Sequence, residues 1–153
     1  MMIAIKYGLM ITAVVIVWTV ITHFIYPLPP KSSLNGLAPL LFNLAAIVAI
    51  YLGIKARKAE GEMNFKAGLK TGLWISVVYA ISACLFFLIL IMVVGPSIMA
   101  NEPMAGNYPV WKLALIASAG MFFGSLILGL VYSTIISFFL ARRLQVSGSK
   151  FKA

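Results

Sequence analysis

The stretch Lys55–Lys70, KARKAEGEMNFKAGLK, lies between two strongly apolar halves of the chain and decides how the fold is read. It holds five of the twelve basic residues of the chain and two of its three acids. These charged residues are Lys55, Arg57, Lys58, Lys66 and Lys70, with Glu60 and Glu62. A basic run flanked by long apolar segments is typical of a connection on the cytoplasmic face of a membrane. This connection is the reference against which the rest of the chain is placed.

The composition predicts a membrane protein. Of 153 residues, 63% are apolar and only 10% are charged, which is too little charge to cover the surface of a soluble domain of this length. The formal net charge of +9 does not indicate nucleic-acid binding, because the basic residues flank apolar spans and line no single solvated face. We therefore expect one integral membrane domain, residues 1–153.

Four apolar segments predict an all-α membrane four-helix bundle. The predicted spans cover about residues 7–26, 37–54, 69–94 and 110–140, joined by a basic loop at 55–68 and followed by a tail at 142–153. The first span lacks a small-residue cleavage site after it and is predicted to stay as a signal anchor. The role of the loop at 95–109 is left open.

The basic residues predict the orientation. Ten of the twelve fall on one side of a four-span arrangement, and only Lys31 and Lys112 fall on the other. Those on the first side include Lys6, the five cations of Lys55–Lys70, Arg142, Arg143, Lys150 and Lys152. Because positive charge near span ends stays in the cytoplasm, we expect both termini and the central loop to be cytoplasmic.

Two rows of small residues predict where helices pack. In the third span the row is Gly68, Gly72, Ser76, Ala80 and Cys84, and in the fourth it is Ser125, Gly129, Ser133 and Ser137, beside Gly120 and Gly124. Small residues let membrane helices approach closely, so the two spans are predicted to cross along these rows. A homodimer contact through the same row is the alternative.

The run Gly53–Gly72, GIKARKAEGEMNFKAGLKTG, resembles the bacterial membrane family known as domain of unknown function 4199. Phe65, Leu69, Lys70 and Gly72 match the pattern of the family at this place. Lys66 and Gly68 depart from it, since members usually carry glycine and alanine there. The resemblance covers residues 5–143 in layout and these 20 residues in motif. It implies a four-span protein of a bacterial membrane, and it implies no activity. We expect the membrane to be the inner one.

The sequence offers little for catalysis or transport chemistry. All three acids lie outside the predicted spans, and one histidine without any aspartate cannot complete a catalytic triad or a metal site. We therefore expect no enzyme, no cofactor and no metal. Two polar residues remain as weaker candidates. His23 is either a functional site or an interfacial side chain, and Asn43 either bonds another helix or contacts a solute.

The functional prediction is an accessory or structural membrane protein that binds other membrane components through helix faces. The alternative is a small transporter or channel formed by oligomerisation, with Ser125, Ser133 and Ser137 lining a path. Expected partners are membrane lipids, another membrane protein or a second copy of the chain. Two explanations remain open for the basic residues near the span ends. Either they only set the topology, or they also attract anionic lipid headgroups. These residues are Lys55, Arg57, Lys58, Lys66, Lys70, Arg142 and Arg143.

Overall fold

The fold is built from four long helices in a computed structural model that describes residues 1–26, 33–61, 64–95 and 109–149. Helix α1 spans Met2–Val20 and continues into a π-helical turn at Ile21–Ile25; α2 spans Ser33–Ala59, α3 Phe65–Val94 and α4 Val110–Ser149. The described residues contain no strand. Each helix contains an apolar stretch long enough to cross a bilayer, which confirms the all-α, four-span prediction.

The helices reach further than the predicted apolar spans, especially around the central basic run. Helix α2 continues to Ala59, so Lys55, Arg57 and Lys58 lie in helix. Cations are favourable there because they lie near the negative end of the helix dipole. Helix α3 begins at Phe65, where the Asn64 side chain caps it by accepting from the Ala67 amide at 2.8 Å. The connection is therefore much shorter than residues 55–68.

The four helices alternate in direction. The five residues between α2 and α3 span at most about 18 Å, so these helices must run in opposite directions. Helix α1 is parallel to α3, because Gly8 faces Val78 and Thr12 bonds Ser82 one turn later in both helices. Helix α4 is antiparallel to α3, since Gly72 faces Ser133 while Ser76 faces Gly129.

Alternation places the start of α1, the end of α2, the start of α3 and the end of α4 at one end of the bundle. We call it the basic end, because it carries Lys6, Lys55, Arg57, Lys58, Lys66 and Lys70. The backbone of α4 is still helical at Arg142 and Arg143, past its apolar stretch. Lys31, Lys150, Lys152 and most of the predicted loop at 95–109 lie outside the described residues.

Helix α3 is the centre of the packing. It contacts the three other helices, and α4 most extensively, while α1 packs on α2 and α3. The main core cluster joins small and branched side chains of α1, α2 and α3, namely Ala4, Ile11, Ala49, Ile50, Ile54 and Ile75. Large apolar side chains point outward, as Leu40 on α2 and Phe139 on α4 do with 67% and 62% exposure. That distribution suits a bundle whose outer surface meets lipid.

Candidate functional site

The closest contact in the bundle joins α3 and α4 through two Gly-x-x-x-Ser pairs that face each other. Gly72 of α3 lies against Ser133 of α4, and Gly129 of α4 lies against Ser76 of α3. A methyl group at either glycine would overlap the opposing serine side chain. The glycines therefore set how near the two backbones come, and both serines are fully enclosed.

The same antiparallel register continues along the two predicted rows. Toward the basic end, Gly68 and Ser137 are both buried, and toward the other end Ala80 is completely buried. Ser125 is half-buried, and the Cys84 thiol of α3 donates to the Ser118 carbonyl of α4 at 3.5 Å. The structure thus packs the small-residue row of α3 against that of α4 within one chain. The contact between the two rows is therefore not available to a second copy of the chain.

Two serine hydroxyls where the rows of α3 and α4 meet bond to their own helices. Ser76 Oγ donates to the Gly72 carbonyl at 3.0 Å, and Ser133 Oγ donates to the Gly129 carbonyl at 2.5 Å. Ser137 is also fully buried, and its hydroxyl has no hydrogen-bond partner among the described residues. The row therefore faces protein, which sequence periodicity alone did not decide.

Gly120 and Gly124 differ from the other small residues in the predicted set. A methyl group built on either glycine would meet nothing within 4 Å. Phe123 and Ile127 beside them are 61% and 63% exposed, so this is an outward face of α4. The structure leaves these two glycines outside the α3–α4 contact.

A second close approach, between α1 and α3, was missed in the sequence. A methyl group on Gly8 would lie 2.7 Å from Val78 Cβ and 3.0 Å from the Ile75 carbonyl oxygen. One turn later the Thr12 hydroxyl lies 2.5 Å from the Ser82 hydroxyl and donates to the Gly8 carbonyl at 3.3 Å. The signal was present, since Gly8 and Thr12 have the same four-residue spacing as Gly72 and Ser76.

Asn43 bonds another helix. Its Oδ1 accepts a hydrogen bond from the Tyr132 hydroxyl of α4 at 2.8 Å, and its Nδ2 donates to the Pro39 carbonyl at 2.7 Å. The structure therefore favours the interhelical interpretation of this residue over a solute contact. Tyr132 carried no distinguishing signal in the sequence, because one tyrosine in an apolar helix does not reveal its neighbour.

His23 lies at the opposite end of the bundle from the basic end, in the π-helical turn that closes α1. Its ring is exposed and meets the Phe24 ring edge to face at 5.3 Å between centroids. The described residues contain no cluster of three His, Cys, Asp or Glu side chains that could hold a metal ion. Among the described residues, the His23 ring thus forms an aromatic pair with Phe24.

The predicted topology residues gather at the basic end on different helices. Lys55 lies in α2, Lys66 and Lys70 lie in the first two turns of α3, and all three are exposed. Arg57 forms an exposed ion pair with Glu60 at 2.8 Å, which contributes little to stability. Lys58 lies beside Arg57 in the last turn of α2, and the side chains of Arg142 and Arg143 are outside the described part of the structure.

These features define a multi-pass membrane protein of the four-helix type, held together by small-residue contacts and interhelical hydrogen bonds. The sequence model of a family described as protein of unknown function (DUF4199) matches residues 6–102. The chain belongs to this family, and the matched segment covers most of α1 and all of α2 and α3 but ends before α4 begins. No curated protein and no solved structure matches the chain significantly.

Proposed function

We propose that the protein is a non-catalytic component of the bacterial inner membrane that binds a transmembrane helix of another membrane protein, with both its termini in the cytoplasm. The observation that carries the proposal is the outward face around Gly120 and Gly124. These glycines have open space around them, whereas Gly72 and Gly129 are covered within the chain.

A glycine that faces lipid weakens a helix without any compensating contact, while a glycine that faces another helix permits close backbone approach. Ile116, Phe123 and Ile127 flank the pair and are 49%, 61% and 63% exposed. A shallow trough with large apolar walls is the shape into which a second helix fits. A partner helix on α4 would therefore use residues that the fold itself does not need.

The serine row gives less support to a solute path along α4. Ser133 and Ser137 have no exposed surface, and α3 fills the space in front of them. A path through the single chain would require α3 and α4 to separate along their tightest contact. The binding role requires no such change.

The first experiment is affinity purification of the full chain from native membranes, followed by mass spectrometry of intact complexes. Gly120→Leu with Gly124→Leu should fill the trough and remove a stoichiometric partner, while the chain stays folded because neither position has a neighbour within 4 Å. Ala13→Leu introduces a leucine at an exposed position on α1 and serves as the control for added apolar bulk elsewhere on the bundle. A complex that survives the glycine substitutions, or a chain that purifies without any foreign protein, would contradict the proposal.

A further inference from the structure

The outward face of α3 is positively charged at its first turns and apolar further along the helix. It begins at the basic end with Lys66 and Lys70, both exposed, and one turn deeper it presents Trp74 with 50% exposure. Two further turns along the same face lies Ile81, with 48% exposure. One helix face therefore carries two cations, then an indole, then an apolar stripe.

The two lysines lack a neutralising partner on their own helix. They are four residues apart, which brings like charges to neighbouring positions and is unfavourable unless an anion lies between them. Helix α3 contains no aspartate or glutamate, and the ion pair found among the described residues joins Arg57 to Glu60. An anion bound at this face would remove the repulsion between Lys66 and Lys70.

The shape of the face selects the kind of anion. Trp74 offers an indole N–H donor at the depth where tryptophan is enriched in membrane proteins. From Lys70 to Ile81 the helix rises about 16 Å, close to half of the roughly 30 Å hydrocarbon core. A soluble anion would use the lysines and leave the apolar stripe without a role.

We propose that this face of α3 binds one anionic phospholipid, with its phosphate between Lys66 and Lys70 and an acyl chain along Trp74 and Ile81. The proposal is independent of the partner helix on α4, because it concerns another helix and other residues. Lys6 and Lys55 lie at the same end but on α1 and α2, so they provide a control with equal loss of charge.

The test uses the full chain with Trp18→Phe and Trp111→Phe, so that Trp74 is the only tryptophan. It is placed in vesicles that mix phosphatidylglycerol and phosphatidylcholine, in which one lipid or the other carries brominated, fluorescence-quenching acyl chains. Brominated phosphatidylglycerol should quench Trp74 well beyond its share of the bilayer. Lys66→Gln with Lys70→Gln should lower this preference by about 5-fold per lysine.

Lys66→Arg with Lys70→Arg should retain most of the preference, and Lys6→Gln with Lys55→Gln should leave it unchanged. Equal quenching by the two lipids would overturn the proposal. So would an equal fall in the control pair, which would indicate general attraction to the bundle end. A soluble polyglutamate peptide that changed Trp74 emission while the lipids quenched equally would instead assign the lysines to an acidic protein segment.

Discussion

Gly129 of α4 lies so close to Ser76 of α3 that no side chain larger than a hydrogen atom fits between the two helices. The reverse contact, Gly72 against Ser133, repeats the arrangement one turn away. Because lipid provides no hydrophobic force to push helices together, dispersion contacts at such close approaches must hold the hairpin. The stability of the bundle should therefore depend steeply on these positions.

Gly129→Ala should destabilise the folded state by about 1–3 kcal/mol, because the added methyl group overlaps the Ser76 side chain, which α4 encloses. The measurement is unfolding in detergent by heat or by added denaturing surfactant. Gly120→Ala is the matched control on the same helix, and it should be neutral or slightly stabilising, because nothing lies within 4 Å and alanine favours the helix more than glycine does.

The overlap that Gly129→Ala creates with the Ser76 side chain can also be relieved by a substitution at Ser76. Ser76→Gly removes the atoms that the new methyl group would meet, so the double variant should regain part of the stability lost in Gly129→Ala. Additive losses in the double variant would show that position 129 acts through something other than this contact.

The sequence predicted the fold well because membrane insertion depends mainly on the length of the apolar segments and on the placement of basic residues. Both features are visible in the sequence itself. An error of several residues in the limits of a span changes neither the number of spans nor the side on which the basic residues fall. The helix limits were less predictable around Lys55–Lys70. A charged residue ends the apolar span, but it does not end the helix, and Asn64 as a capping residue marks the start of α3 more closely than hydropathy does.

The contacts were predictable only in part. Four-residue rows in α3 and α4 indicated a ridge, yet the rows could not reveal that Gly120 and Gly124 face away from it while Gly129 faces into it. Gly129 comes five residues after Gly124, which is about 140° around a helix, so the two glycines point to different sides of α4. The pairing of Asn43 with Tyr132 depends on how α2 lies against α4, which no local pattern encodes.

The hydrogen bond between Asn43 and Tyr132 should contribute a modest coupling. Tyr132→Phe and Asn43→Ala are each expected to destabilise, with a coupling of about 0.6–1.7 kcal/mol between them, as interhelical hydrogen bonds in membranes typically give. A double-mutant cycle by surfactant unfolding measures it. Strictly additive effects would mean that the bond at 2.8 Å adds nothing beyond the bonds each side chain finds elsewhere.

Gly8 of α1 and Gly53 of α2 should differ in their tolerance of alanine. Gly8→Ala meets Val78 Cβ and the Ile75 carbonyl oxygen, which are fixed to the α3 backbone and cannot move alone. Gly53→Ala meets mainly the terminal methyl group of Ile75, which can rotate away. We expect Gly8→Ala to cost about 1–3 kcal/mol and Gly53→Ala clearly less, measured by the same unfolding assay. The reverse order would contradict the close approach of α1 to α3.

The orientation of the bundle can be tested through cysteine accessibility, because the chain has a single native cysteine. Cys84 lies within a span and is partly buried, so Cys84→Ser gives a background without thiols. Glu60→Cys at the basic end and Val110→Cys at the opposite end are both exposed positions. In intact cells an impermeant maleimide should label position 110 but not position 60, because positive charge near span ends keeps the basic end in the cytoplasm. This difference in labelling should weaken, and a population labelled at position 60 should appear, when glutamine replaces Lys55, Lys58, Lys66 and Lys70. Labelling of position 60 in the otherwise unaltered chain would place the basic end outside and overturn the orientation.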